Sequence, residues 1–299
     1  MLAEEVVALQ CSHEEADTRL LLHAAHAAET GSSNVVIRSP DTDVAVLACA
    51  LSSDIPARLL FRTGSKARTR FVDINIIFAK EGQLVCRSLL ALHALTGCDT
   101  TSAFKRRGKA HGLSIVRSLE PTLANLSLLG SSFDVSAQLC KMCETFVCRL
   151  YGSRVYTCIN DLRYHLFATK AVQGDQLPPT QDALQQHIQR ANYQAGVWLR
   201  ALEAMPNIPS PVGRGWHMED GRLRLHWMEQ APAPEQLIVL VQCSCQKGCE
   251  NARCSCVRAG LQCTDACKCK ECTNGCDIDI GLGEVVDMDG DSADEAGEP

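Results

Sequence analysis

The chain has no apolar run approaching the roughly 18 residues that mark a membrane-spanning helix, so no span is expected. It has no Gly-x-Gly-x-x-Gly fingerprint, no phosphate-binding loop and no Ser or Cys nucleophile elbow. Those absences set aside dinucleotide-dependent redox enzymes, P-loop NTPases and α/β-hydrolase chemistry. No internal repeat is visible. The first ten residues, MLAEEVVALQ, carry two glutamates and neither Lys nor Arg, unlike the basic start of a secretion signal. An intracellular, reducing environment is therefore expected, where dense cysteine points to metal rather than to disulfides.

What is present is an ordinary globular composition. The 299 residues are 46% hydrophobic and 21% charged, enough for one large domain or two smaller ones. The net charge of −6 is unevenly spread: the 23 residues from Asp277 hold nine acids and no Lys or Arg, leaving 29 basic against 26 acidic residues elsewhere. That tail, 277–299, is expected to be disordered and solvated.

The pattern along residues 1–125 predicts an α/β domain. Ser12 and Glu15 fit a capping box that would open a helix over 12–30, with Gly31 at its end. NVVIRS (34–39) and ARLLFRT (57–63) read as buried strands, and the apolar segments after them, including VDINIIFAKEG and LVCRSLLALHAL, as packed helices. Strands alternating with helices imply parallel neighbours. Residues 126–205 read as a helical extension, clearest after Thr180, where Leu184, Ile188, Ala191, Ala195, Trp198 and Leu202 recur at helical spacing. Residues 206–240 read as linker and hairpin, turning at Asp220-Gly221, with Trp216 and Trp227 expected to pack across it. Cys140, Cys143, Cys148 and Cys158 lie in apolar helical context and are expected to be buried thiols.

Residues 241–276 differ from the rest. Cys243, Cys245, Cys249, Cys254, Cys256, Cys263, Cys267, Cys269 and Cys272 place nine cysteines in thirty residues, with no aliphatic segment able to form a core. A module of this kind needs a staple, and zinc thiolate bonds supply one. Zinc takes four ligands, so two ions would use eight thiolates and strand one. Three ions need twelve ligand positions, which nine thiolates fill if three of them bridge. An odd count also argues against a closed disulfide set.

This spacing, from Cys243 to Asn274, resembles the tesmin-like CXC domain. The resemblance implies a trinuclear zinc cluster with all nine cysteines as ligands; Cys276 lies outside the pattern. Family members bind DNA, often through tandem copies, with a tyrosine before the second Cys-x-Cys entering the minor groove. Here one copy is present and that position is Arg253, itself a good minor-groove residue. Lys247, Arg258, Lys268 and Lys270 are candidates for phosphate contact.

A second set of residues is acidic. Glu15 and Asp17 lie in the first turn of the first predicted helix, Asp41 and Asp43 follow a parallel-type strand, and Asp99 begins a Thr/Ser-rich turn. Open α/β sheets place ligands beyond the carboxyl ends of their strands, and clustered carboxylates suit Mg²⁺ or Mn²⁺. Each acid alone also has a structural reading: Glu15 as half of a capping box, Asp17 as a helix-dipole partner, Asp41 as a helix cap. The order Glu-x-Asp, Asp-x-Asp, Gly-x-Asp over residues 10–115 resembles the latter half of the flap-endonuclease (XPG-like, PIN-fold) nucleases. That resemblance implies a partial PIN-like parallel sheet, the five acids as metal ligands, and Lys105, Arg106, Arg107 and Lys109 as phosphate contacts. The family's first strand carries a further aspartate, followed by a basic clamp, and neither has a counterpart here, so an incomplete core is expected. A nuclease-like core joined to a CXC module also resembles mobile-element-derived animal proteins.

The expected fold is thus α/β, with a partial PIN-like sheet, a helical extension and a small zinc module. Three functions remain open: a nuclear zinc protein that binds DNA, a Mg/Mn-dependent structure-specific nuclease, and a zinc-stabilised protein-interaction scaffold.

Overall fold

A computed structural model describes residues 5–65, 68–118, 126–170, 174–231, 242–246, 248–258, 261–263, 267–269 and 272–274. Lys247, Lys270, Cys276 and the acidic tail lie outside the described residues. The chain divides into two compact units, Met1–Gln230 and Ala231–Pro299. No described helix is long and apolar enough to cross a membrane.

The first unit is mixed α/β, as its alternating pattern predicts. Strand β1 (Asn34–Arg38) pairs in parallel with β2 (Arg58–Thr63), joined through helix α2 (Thr42–Leu51). A third strand, β3 (Arg70–Asp73), adds antiparallel to β2 and runs directly into α3 (Ile74–Glu81). Val72 and Asp73 read in sequence as the start of that helix, but Asp73 closes the strand and caps the helix, accepting from the backbone N–H of Asn75 and Ile76. Helix α1 (Ala16–Glu29) precedes the sheet. It begins four residues later than the capping-box reading: Glu15 occupies the N-cap position and makes no side-chain cap bond.

Helix α4 (Gln83–Thr96) is the centre of the unit, packed against α2, α3, α5 (Lys109–Ser118) and α8 (Gln181–Leu199). Every residue from Leu90 to Thr96 is buried, as a helix surrounded on all faces requires. Helices α6 (Ala137–Leu150) and α7 (Ile159–Lys170) complete the layer, and their apolar residues join the sheet in one continuous core. Cys143 and Cys148 are fully buried thiols within α6, and burial raises both to about 12. Thr180 caps α8 as its position suggests, accepting from Ala183 N–H.

Strands β4 (Trp216–Glu219) and β5 (Arg222–Leu225) form the hairpin. Asp220 (φ 49°) and Gly221 (φ 73°) both take the left-handed values that a tight primed turn needs. The two tryptophans do not pack across it. Trp216 sits edge-on to Tyr193, while Trp227 is exposed beneath the Arg190 guanidinium.

The second unit has a core of sulfur. Cys243, Cys249, Cys254, Cys256 and Cys263 are buried, and Cys245, Cys267, Cys269 and Cys272 are partly buried against them. Its described helix is one turn, α9 (Ser255–Arg258).

Candidate metal centres

All nine cysteines of the motif converge. Among the described residues, four groups of four sulfurs have ligand atoms within 4.8 Å of one another: 243/254/256/263, 243/245/249/254, 243/263/267/269 and 249/263/269/272. Cys243 and Cys263 belong to three groups each, so single sulfurs serve several vertices. Sulfur–sulfur separations are 3.9 Å for Cys243–Cys249 and Cys243–Cys263, 3.8 Å for Cys254–Cys263 and 3.6 Å for Cys256–Cys267. A disulfide would bring such a pair to about 2.05 Å. A tetrahedron with zinc–sulfur bonds of about 2.3 Å has edges of about 3.8 Å, which these separations match. The cysteine groups can therefore hold metal ions, and their soft thiolate donors fit zinc.

Local structure sets the sulfurs in place. Cys254 stands before α9, where the Val257 backbone N–H, against the opposing effect of burial, draws its thiol down to about 6. Burial pushes the Cys249 thiol up, reinforced by Cys272 and the other neighbouring thiols. Burial also pushes Cys263 up, although Asn274 opposes it by donating to the sulfur at 3.4 Å. So many thiolates cannot share a buried space without a cation between them, which a metal ion supplies. Asn274 also donates to Leu261 O (3.0 Å) and accepts from Cys263 N–H (2.7 Å), tying the end of the motif to its middle. Arg253, Arg258 and Lys268 are exposed around this core.

The acidic residues come together in the other unit. The carboxyl end of β1 leads through Ser39, whose hydroxyl accepts from Asp41 N–H, to the N-terminus of α2. There Asp41 acts as the cap, accepting from Asp43 N–H at 2.8 Å. The first turn of α1 brings Glu15 and Asp17 alongside. Gly97 (φ 112°) ends α4 where a Cβ would strike Ala103 at 2.7 Å, and the following tight turn presents Asp99. Burial raises the Asp17 carboxyl above its usual range, and the charges of Asp41, Asp43, Glu15 and Asp99 raise it further. The other four acids thus lie within charge-interaction range of Asp17. They do not form a tight grouping of three or more ligand atoms like those of the cysteines.

Three residues that sequence reasoning did not select bind this cluster together. Glu15 accepts from Gln194 Nε2 (2.8 Å) and from Trp198 Nε1 (3.0 Å), both on α8. Its carboxylate is engaged by tertiary partners, which is why the local capping box does not form. The third is His93 of α4, whose Nε2 lies 2.7 Å from Asp43 Oδ1. Burial raises Asp43, but the neighbouring His93 and the positive charge of Lys109 outweigh it and hold the carboxyl below its usual value.

No family model, no curated protein and no solved structure matches the chain. The chemistry of both centres therefore rests on the residues themselves.

The basic residues after Asp99 are divided. Lys105 pairs with Asp175, and Arg107 lies over the Tyr151 ring at 4.9 Å. Arg106, with φ 59°, and Lys109 are exposed. Of the five acids, Glu15 lines a cavity of about 730 Å³, together with Thr18, Thr100, Tyr193, Gln194 and Trp216 among others.

Proposed function

We propose that the chain is a zinc-cluster protein of the tesmin-like CXC type that binds DNA in the nucleus, with a nuclease-like α/β core. The observation that carries this reading is the sharing of sulfurs. Four overlapping tetrads built from nine cysteines support a zinc cluster in which thiolates bridge between ions. The cluster folds the module, and exposed Arg253, Arg258 and Lys268 offer cationic groups for phosphate and groove contact.

The test is retention of the zinc-loaded chain on duplex DNA at increasing salt. Affinity should fall linearly on a log–log plot, and Arg253→Ala should weaken binding with a slope lower by about one. Zinc content without measurable DNA affinity would sink this reading and leave a zinc-stabilised interaction scaffold.

A second reading, a Mg/Mn-dependent structure-specific nuclease, is favoured by one observation: four carboxylates surround Asp17 beyond the carboxyl end of a parallel strand. Glu15, Asp17, Asp41, Asp43 and Asp99 would hold the cations, which would supply a water nucleophile and stabilise the leaving oxygen. Lys109, within charge range of Asp43, would neutralise an incoming phosphate. Purified chain with Mn²⁺ should then cut flapped DNA, and Asp41→Ala/Asp43→Ala should abolish the cutting. Equal cleavage by parent and double variant would dismiss this centre as its source.

A further inference from the structure

One face of the sheet is open and basic. Ile37 and Phe61 are buried in the core, so the alternate residues Val36, Arg38, Arg62 and Phe71 share the opposite face. Val36 is 51% exposed there and Phe71 60%. Arg38 and Arg62 are register partners at the carboxyl ends of β1 and β2, the edge beyond which open α/β sheets bind ligands. Like charges directly opposite on neighbouring strands repel. Arg58, on the same face, is neutralised by Asp73 at 2.6 Å, but no carboxylate among the described residues pairs with Arg38 or Arg62.

The two arginines border a hollow of about 400 Å³, lined also by Ser39, Thr63, Ser65 and Thr69 among others, with no acid in its wall. Gly64 shapes it. With φ 89° the chain turns so tightly that an added Cβ would strike Arg68 O, and Arg68 N–H donates back to Ser65 O at 2.7 Å. The Ser39 hydroxyl accepts from Asp41 N–H, which leaves its own hydrogen to donate. Strands about 4.8 Å apart put both guanidiniums within reach of one oxyanion, and forked guanidinium donors match phosphate. Phe71 points to what carries that phosphate. Its exposed ring lies beside Arg62, whose guanidinium is 5.8 Å from the ring centroid. Aromatic rings set among cations are the platforms on which the bases of a single strand stack.

We propose that Arg38 and Arg62 bind a backbone phosphate of single-stranded nucleic acid while Phe71 stacks on a neighbouring base. The site lies in the first unit and uses none of the zinc module and none of the basic residues after Asp99. It depends on neither functional reading above.

The test uses the full zinc-loaded chain carrying Arg253→Ala, which weakens the module's own contact. The probe is a fluorescent oligothymidylate of about ten nucleotides, read by anisotropy. Adding Arg38→Ala/Arg62→Ala should lower affinity at least about ten-fold and reduce the log–log salt slope by about 0.7. Phe71→Ala should lower affinity at least about five-fold. Inorganic phosphate, followed by broadening of its phosphorus resonance, should bind the parent and not the Arg38/Arg62 variant. The melting temperature of that variant should not fall, because it removes a like-charge pair from an open face. Equal oligonucleotide affinity with and without the two arginines overturns the proposal. Phosphate binding lost while oligonucleotide affinity holds also overturns it, and assigns the hollow to free phosphate. If the Arg38/Arg62 variant fails to fold, ultraviolet crosslinking of the oligonucleotide to the wild-type chain decides. A crosslink on Phe71 supports the site, and crosslinks confined to other parts of the chain overturn it.

Discussion

Replacing Cys263 with serine should strip the C-terminal unit of most of its zinc and of its fold. Cys263 is 4% exposed and belongs to three of the four sulfur tetrads. Its sulfur accepts from Asn274, and its own N–H donates to the Asn274 carbonyl, so it joins the shared sulfurs to the closing segment. Among the described residues the unit's buried core is made of cysteines, with Val257 the one aliphatic side chain packed against it, too little to hold the unit without metal. A structural zinc in a small module contributes on the order of 10 kcal/mol or more, far above what such a module stores otherwise. Zinc content by elemental analysis should fall from about three ions per chain to one or none. The overlap of the tetrads also sets an order: Cys245 belongs to one tetrad, so Cys245→Ser should lose about one ion and spare the rest. Cys86→Ser, a buried thiol of α4 outside the cluster, should leave zinc unchanged. Equal zinc in the Cys263→Ser and wild-type chains would show that Cys263 is not a shared ligand.

The contrast between the two centres shows what a sequence can reveal. The clustered cysteines are legible because all nine fall within thirty residues and spacing alone implies a shared site. The strands β1 and β2, the Asp41 and Thr180 caps and the turn at Asp220-Gly221 were legible for the same reason: each is a local choice of residue types. Strand β3 was not, because its four residues continue without a break into an apolar helix and are defined by pairing with β2. His93 was illegible for a stronger reason. Within LLALHAL it reads as a core histidine, and its partner Asp43 lies fifty residues earlier in the chain. The late start of α1 has the same origin. Ser12 and Glu15 form a sound local pattern, but Glu15 finds two donors on α8 that no local pattern contains.

Arg190→Ala should destabilise the first unit more than any surface change. Arg190 is 2% exposed and heads the largest buried side chains among the described residues. Its guanidinium donates to Gly215 O at 3.0 Å and to His226 O at 2.7 Å, and lies over Trp227 at 5.6 Å, fastening the hairpin to α8. Gly215 accommodates this fit: with φ 89°, an added Cβ would meet Arg190 Cγ at 2.5 Å. Burial costs the cation, pushing its pKa down from the usual value. Removing it relieves that cost, yet the truncation leaves a cavity and unfastens the hairpin from α8, although Gly215 O keeps the His226 N–H at 2.9 Å. The loss is the larger effect, because a cavity left by a large buried side chain costs on the order of 2–5 kcal/mol. A net loss of about 3 kcal/mol lowers the melting temperature by roughly 6–12 °C in a unit of this size. Arg190→Lys keeps the charge but not the two-pronged reach, so it should recover less than half of the loss. Thermal unfolding followed by circular dichroism checks both. A melting temperature unchanged in Arg190→Ala would mean that the hairpin is held by Trp216 on Tyr193 and by Gln186 on Glu229 instead, and that the buried guanidinium contributes nothing to the fold.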